Sequence, residues 1–184
     1  MYVLIVLGCL SFLIMLMNDL NQIWMHWKIG KVFFVIGCLL LGTATILLIK
    51  KSLPLSNVTM LSWIAAILCL VCFLLLIYTL FFALPFGDTY VDQNELKVYD
   101  QGMYALCRHP GILWFFFCYL FLAVSISSFE TGIAAILFSF MNLCYALIQD
   151  ILIFPRTLKG YGDYQRNVPF LIPTMASIKN SLRK

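Results

Sequence analysis

The chain has 184 residues, of which 63% are hydrophobic and 11% charged, against about 45–50% and about 25% in an ordinary soluble domain. No soluble fold of this size has an interior large enough for that apolar surface, so the composition excludes a water-soluble globular protein. The formal net charge of +4 comes from 12 Lys and Arg against 8 Asp and Glu, and where those few charges fall carries more information than their sum.

A transmembrane helix needs about 20 mostly apolar residues, because the hydrocarbon core is about 30 Å thick and a helix rises about 1.5 Å per residue. Five runs qualify. The first, Tyr2 to Met17, is short and lacks the basic n-region and cleavage site of a signal peptide, so it reads as a retained span. Then come Val32 to Ile49, Met60 to Phe86, Gly111 to Ser127 and Gly132 to Phe154. Their apolar runs are continuous, without the period-two alternation of a lumen-facing strand. The expected fold class is therefore all-α, a polytopic transmembrane helix bundle of about five spans with a short cytosolic C-terminal segment.

Basic residues set the orientation. With five spans and the C-terminus inside, Lys28, Lys31, Lys97, Arg108, Arg156, Lys159, Arg166, Lys179, Arg183 and Lys184 are cytosolic, and only Lys50 and Lys51 lie outside. The expected topology is a multi-pass membrane protein with its N-terminus outside and its C-terminus cytosolic.

Of the seven cysteines, all but Cys107 fall within expected spans. Cys69 and Cys72 form a CxxC with no second pair and no histidine nearby, and read as small hydrophobes packing between helices. Among the polar connections, residues 18–30 carry Trp24 and Trp27 as interfacial anchors with His26 beside them, while KKSLPLSNV and SFET are short turns. Two longer polar segments lie on the cytosolic side: the connection holding Asp88, Asp92, Glu95, Lys97, Asp100 and Arg108, and the tail from Pro155. HExxH and GxSxG patterns and a Gly-rich phosphate loop are missing, which removes support for metalloprotease and serine-hydrolase readings.

Chemistry concentrates in Gly102-Met-Tyr104-Ala-Leu-Cys-Arg108-His109-Pro110. Proline suits the first turn of a helix, so Pro110 opens the fourth span and His109 falls at the N-cap, pushed toward an extended backbone. The unpaired N–H groups there favour an anion, and Arg108 adds a bidentate partner for carboxylate or phosphate. The plainer alternative has Arg108 snorkelling to lipid phosphates and His109 merely capping. On the fifth span Asn142, Tyr145 and Gln149 share one face, and Asp150 follows. An acid beside Ile151-Leu-Ile-Phe154 is costly unless it meets a partner or an aqueous cavity; Arg156 or Lys159 would serve as a simple interfacial partner. In the tail, Tyr161 and Tyr164 present faces that suit a cation such as a sulfonium, although belt residues are the commoner use. The segment Pro169-Phe-Leu-Ile-Pro173 reads as docking back on the membrane surface.

Together these residues resemble the isoprenylcysteine carboxyl methyltransferase family, broadly drawn to include phospholipid methyltransferases and NnrU-type membrane proteins. The resemblance covers about residues 90 to 174: Gly102, Tyr104, Arg108, His109 and Pro110, then Tyr164, Val168, Pro169, Ile172 and Pro173. Ile112 stands where the family often has tyrosine, and Gln149-Asp150 where it has two glutamates. The apolar runs make residues 1–87 three N-terminal spans, which match the family only in being hydrophobic, and the resemblance implies 88–184 as the methyltransferase region. It further implies S-adenosylmethionine as cofactor, entering from the cytosol, and a small lipophilic or lipid-linked substrate entering from the bilayer. Arg108 and His109 would hold the cofactor's carboxylate, Asp150 its ammonium or ribose hydroxyls, and Tyr104, Tyr161 and Tyr164 would close the pocket, with His109 and Asp150 the catalytic pair. No metal is required, and the expected partners are membrane lipids and the substrate, not nucleic acid. Two alternatives are an NADPH-dependent reductase of sterol-reductase type, whose tail would be larger and more basic, and a non-catalytic membrane protein that keeps the fold.

Overall fold

The computed structural model describes residues 2–27, 30–53, 58–82 and 97–181. The acidic positions Asp88, Asp92 and Glu95 lie outside these. Helix α1 spans Tyr2–Leu20, α2 Gly30–Lys51, α3 Met60–Ile77, α4 Met103–Leu106, α5 Pro110–Ile126, α6 Phe129–Ile148, α7 Phe154–Thr157, α8 Tyr161–Asn167 and α9 Met175–Ser181. Three of the long helices continue into a π-helical turn: α1 through Asn21–Met25, α3 through Tyr78–Phe82 and α6 through Gln149–Ile153. The protein is an all-α helix bundle, and among the described residues four helices are long and apolar enough to cross a membrane, beside the apolar 17-residue α5.

The expected span limits need correction at their polar ends. The first helix does not stop at Met17, because Asn18, Asp19 and Asn21 are buried against neighbouring chain instead of meeting solvent. Asn21 then closes the helix end, its Oδ1 accepting from Trp27 N–H at 2.9 Å and its Nδ2 donating to the Trp27 carbonyl at 3.0 Å. SFET is not a free turn either. Ser128 caps α6 by accepting from Thr131 N–H at 3.5 Å, so Phe129 and Glu130 already form its first turn. A carboxylate there suits the positive end of the helix. Only Ser127, at φ 54°, and the Ser128 cap remain to join α5 and α6. At the start of α3, Thr59 and Ser62 form a reciprocal capping box.

Helix α1 packs on α2 and α6, and α5 packs on α3 and α6. The core between them is Ile5, Phe12, Leu48, Phe115, Tyr119, Ala134, Ala135 and Phe138. Small residues let the helices approach, as membrane packing requires where no hydrophobic effect drives association. A Cβ on Gly8 would lie 2.1 Å from Cζ of Phe138, which is 0% exposed; one on Gly37 would lie 2.9 Å from the Ser11 carbonyl. Within the bundle Ser11 donates to Gly8 O at 2.5 Å, and Thr45 shares a 2.6 Å hydrogen bond with Tyr119 of another helix. Large apolar side chains such as Leu61, Trp63, Ile67, Leu70 and Leu74 of α3 point outward. In water such a surface would aggregate; in a bilayer it is solvated by acyl chains.

Because Phe138 has no free direction in which to move, Gly8→Val is expected to force α1 off α6 and cost about 1–3 kcal/mol, read as a lowered unfolding temperature in detergent, with Gly42→Val, whose Cβ meets nothing, as the matched control.

Candidate functional site

The chain enters the site through α4. Gly102, at φ 57° and ψ −129°, takes a backbone conformation open to glycine, and the single turn of α4 follows. Pro110 opens α5 as expected, with His109 at the N-cap position. The backbone of His109, at φ −128° and ψ 61°, is extended in φ but not in ψ, and its side chain caps nothing. Its ring turns instead toward the end of α6.

There the Asp150 carboxylate collects five donors. Arg108 grips it in a fork, Nε to Oδ1 at 2.8 Å and Nη2 to Oδ2 at 2.9 Å. Nε2 of His109 lies 3.2 Å from Oδ1, the Tyr161 hydroxyl donates to Oδ1 at 2.6 Å, and Gln165 Nε2 donates to Oδ2 at 3.0 Å. Asp150 is 4% exposed and His109 8%. A carboxylate so removed from water is tolerable only with such pairing. The partner is Arg108, not Arg156 or Lys159.

Arg108 also organises the tail. Its Nη1 donates to the carbonyls of Gln165 at 2.7 Å and Val168 at 2.9 Å, while its backbone N–H reaches Pro169 O at 2.9 Å. The His109 N–H reaches Phe170 O at 3.1 Å. The N–H groups of Arg108 and His109, just ahead of the helix that was expected to attract an anion, thus meet carbonyls of the chain's own tail. Four of the five guanidinium N–H bonds are committed within the protein. The Phe170 ring lies under the guanidinium at 5.8 Å and beside the His109 ring at 4.9 Å; Phe154 stacks on His109 at 5.8 Å, and Tyr161 sits edge-on to both Phe154 and Tyr164.

The remaining expected residues stand one step further out. The Tyr164 hydroxyl donates to the Tyr104 carbonyl at 2.6 Å, and the Tyr104 hydroxyl to the Thr79 carbonyl at 3.1 Å, so neither touches Asp150. Burial raises the Tyr104 phenol to about 12 and the Cys107 thiol to about 11. Tyr161 is also raised, by burial and then by its bond to Asp150, since an ionised phenol would place a second negative charge against the carboxylate. At neutral pH all three therefore stay protonated, and Tyr161 can only donate to Asp150.

The sequence reading missed a second buried carboxylate. Asp19, near the end of α1 and 6% exposed, accepts from the Tyr145 hydroxyl at 2.7 Å, Gln149 Nε2 at 2.7 Å and Asn18 Nδ2 at 2.9 Å. Gln149, which looked like a departure from a family pattern, is thus a donor to an acid supplied by another helix. The available signal was the Asn18-Asp19 pair abutting an apolar run, together with the Tyr145 and Gln149 face opposite. Gln165 and Thr79 were also missed. Among the described residues no three His, Cys, Asp or Glu side chains gather as a metal site. No family model matches the chain, and no curated protein or solved structure does either.

Removing one partner of the buried pair strands the other's charge. Asp150→Asn is accordingly expected to cost about 3–5 kcal/mol in detergent unfolding, and adding Arg108→Gln should recover part of that loss, because no buried charge is then left alone. Tyr161→Phe, losing one hydrogen bond to a charged group, should cost about 1.5–3 kcal/mol.

Proposed function

We propose that this chain is an integral membrane methyltransferase that uses S-adenosylmethionine to methylate a small lipophilic or lipid-linked substrate. The observation that carries this reading is the convergence of Arg108, His109, Asp150 and Tyr161, from three separated stretches of sequence, on one buried carboxylate at a helix end. That end carries the cytosolic assignment from the distribution of lysine and arginine, so a water-soluble cofactor and a bilayer-dissolved substrate could meet there.

The donor set matches the cofactor in kind: a guanidinium for its carboxylate, a carboxylate for its ammonium, and the faces of Tyr161 and Tyr164 for its sulfonium. In the present arrangement Arg108 and Asp150 neutralise each other. Admitting the zwitterionic end of the cofactor exchanges one internal ion pair for two, so the fork between the two side chains is what is given up, and the sulfonium adds one positive charge for the aromatic faces to hold. Arg108 would keep its hold on the Gln165 and Val168 carbonyls through Nη1. The tail would then still cover the site and exclude water while Arg108 turns to a ligand. When bound, the cofactor supplies a methyl group on a sulfonium, open to direct displacement by a nucleophile. The chain's part is alignment and dehydration, with His109 within reach of a proton through Nε2 once Asp150 releases it.

The saturation of Asp150 supports a second reading, in which the cluster is a purely structural latch and the protein is non-catalytic. Binding separates the two. Calorimetry in a lipid-like detergent is expected to give S-adenosylmethionine binding by the wild type, weakened about tenfold or more by Asp150→Ala, as loss of one charge pairing of about 1.5–3 kcal/mol requires, and weakened also by His109→Ala. A wild type that binds nothing, or variants that bind unchanged, would sink the methyltransferase reading; binding of NADPH in place of S-adenosylmethionine would favour a reductase. A reporter fused to the C-terminus should respond as cytosolic, and a response from the opposite side would overturn the orientation.

A further inference from the structure

Cys69 of α3 and Cys118 of α5 meet across the interface between these helices with their Sγ atoms 3.7 Å apart. Both thiols are free. They lie near the middle of their helices, Met60–Ile77 and Pro110–Ile126, so both sit well inside the hydrocarbon. Cys118 is buried and Cys69 half-buried, while Ile67, Leu70 and Phe73 beside Cys69 are exposed and therefore face lipid. Cys72, one turn on from Cys69 and buried, leaves the pair with a third thiol on the same helix face.

Simple packing does not require two sulfurs from different helices to be in contact. A disulfide has its sulfurs about 2.05 Å apart, so side-chain torsions need to close only a short gap between helices that are already packed. Water-soluble thiols and charged oxidants do not partition to this depth, whereas lipid-dissolved ones do. We propose that Cys69 and Cys118 form a membrane-embedded dithiol that a lipophilic two-electron oxidant of the quinone class converts to a disulfide, locking α3 to α5. Two S–H bonds break and one S–S bond forms; the two electrons and two protons pass to the quinone, which leaves as quinol. The lock ties together the helices that frame α4: α3 leads to Thr79, whose carbonyl accepts from Tyr104, and α5 begins beside Arg108 and His109. The inference stands independently of the methyltransferase reading.

The test uses the full chain in liposomes, incubated with a fully substituted alkyl benzoquinone that accepts electrons but offers no ring position for thiol addition. After denaturation, alkylation and digestion, mass spectrometry is expected to find a Cys69–Cys118 cross-linked peptide, with both thiols lost to alkylation in parallel and restored by reductant. Cys69→Ser and Cys118→Ser should each abolish the link, whereas Cys144→Ser should not. The oxidised protein should also unfold at a higher temperature, reversibly with reductant. The proposal is overturned if Cys69 and Cys118 stay alkylatable while the quinone is consumed, if Cys72 and not Cys69 pairs with Cys118, or if a membrane-impermeant charged oxidant forms the link as fast.

Discussion

Asp150 sits at the end of a membrane-crossing helix, where an ionised carboxylate is among the most expensive groups a protein can place, and much of the surrounding architecture follows from meeting its demand for donors. One lysine would supply charge but only a point contact; the planar fork of Arg108 covers both oxygens at once and still has N–H bonds left over. Those remaining bonds take the carbonyls of Gln165 and Val168. The residue that neutralises the end of α6 is therefore the same one that holds the tail in place. His109 follows because it is next in sequence, and Pro110 fixes where α5 begins. The backbone N–H groups of Arg108 and His109, left outside the helix, find their acceptors in Pro169 and Phe170.

This explains why two short motifs far apart in the chain, Arg108-His109-Pro110 and Val168-Pro169-Phe170, belong together. A proline at 169 has no N–H to satisfy, yet its carbonyl accepts from Arg108, and the Phe170 carbonyl from His109, so the segment lies against the start of α5. The aromatic rings of Phe154, Tyr161, Tyr164 and Phe170 then close over the charges, lowering the local dielectric and strengthening every hydrogen bond beneath them. The span that ends in Asp150 and Phe154 supplies the acid and one ring; the guanidinium and the other rings come from the segment before α5 and from the tail.

The bundle was legible in the sequence because a bilayer imposes length and apolarity, and five apolar runs announce themselves without any knowledge of packing. Their ends were less so. Asn18 and Asp19 read as the start of a polar connection, since nothing local says that Tyr145 and Gln149, some 126 and 130 positions away, will receive them. Phe129 and Glu130 read as a turn because the cap that draws them into α6 depends on one serine. At the site, sequence reasoning named Tyr104, Arg108, His109, Asp150, Tyr161 and Tyr164, and these do gather at one end of the bundle. It could not say that the guanidinium and the carboxylate would face each other, because pairings between distant segments leave no periodic trace. Gln149 shows the same limit: nothing beside it in the chain says that its amide donates to Asp19 of α1.

Gln149 and Asp150 are adjacent in sequence but serve different clusters. Successive residues on a helix point in well-separated directions, so the amide of Gln149 turns to α1 and the carboxylate of Asp150 to α5 and the tail. The turn that carries both is π-helical, as are the last turns of α1 and α3 at the same end of the bundle. Wide turns of this kind sit at a locally weaker part of the hydrogen-bond ladder and recur where a helix must re-aim its side chains. One such turn here joins a neutral-donor site around Asp19 to an ion-paired site around Asp150. Sites that share one backbone segment in this way are the kind whose mutational effects are commonly non-additive. The end of α6 is therefore where the first span, through Gln149 and Asp19, and the tail, through Asp150 and Arg108, are fastened to one stretch of backbone.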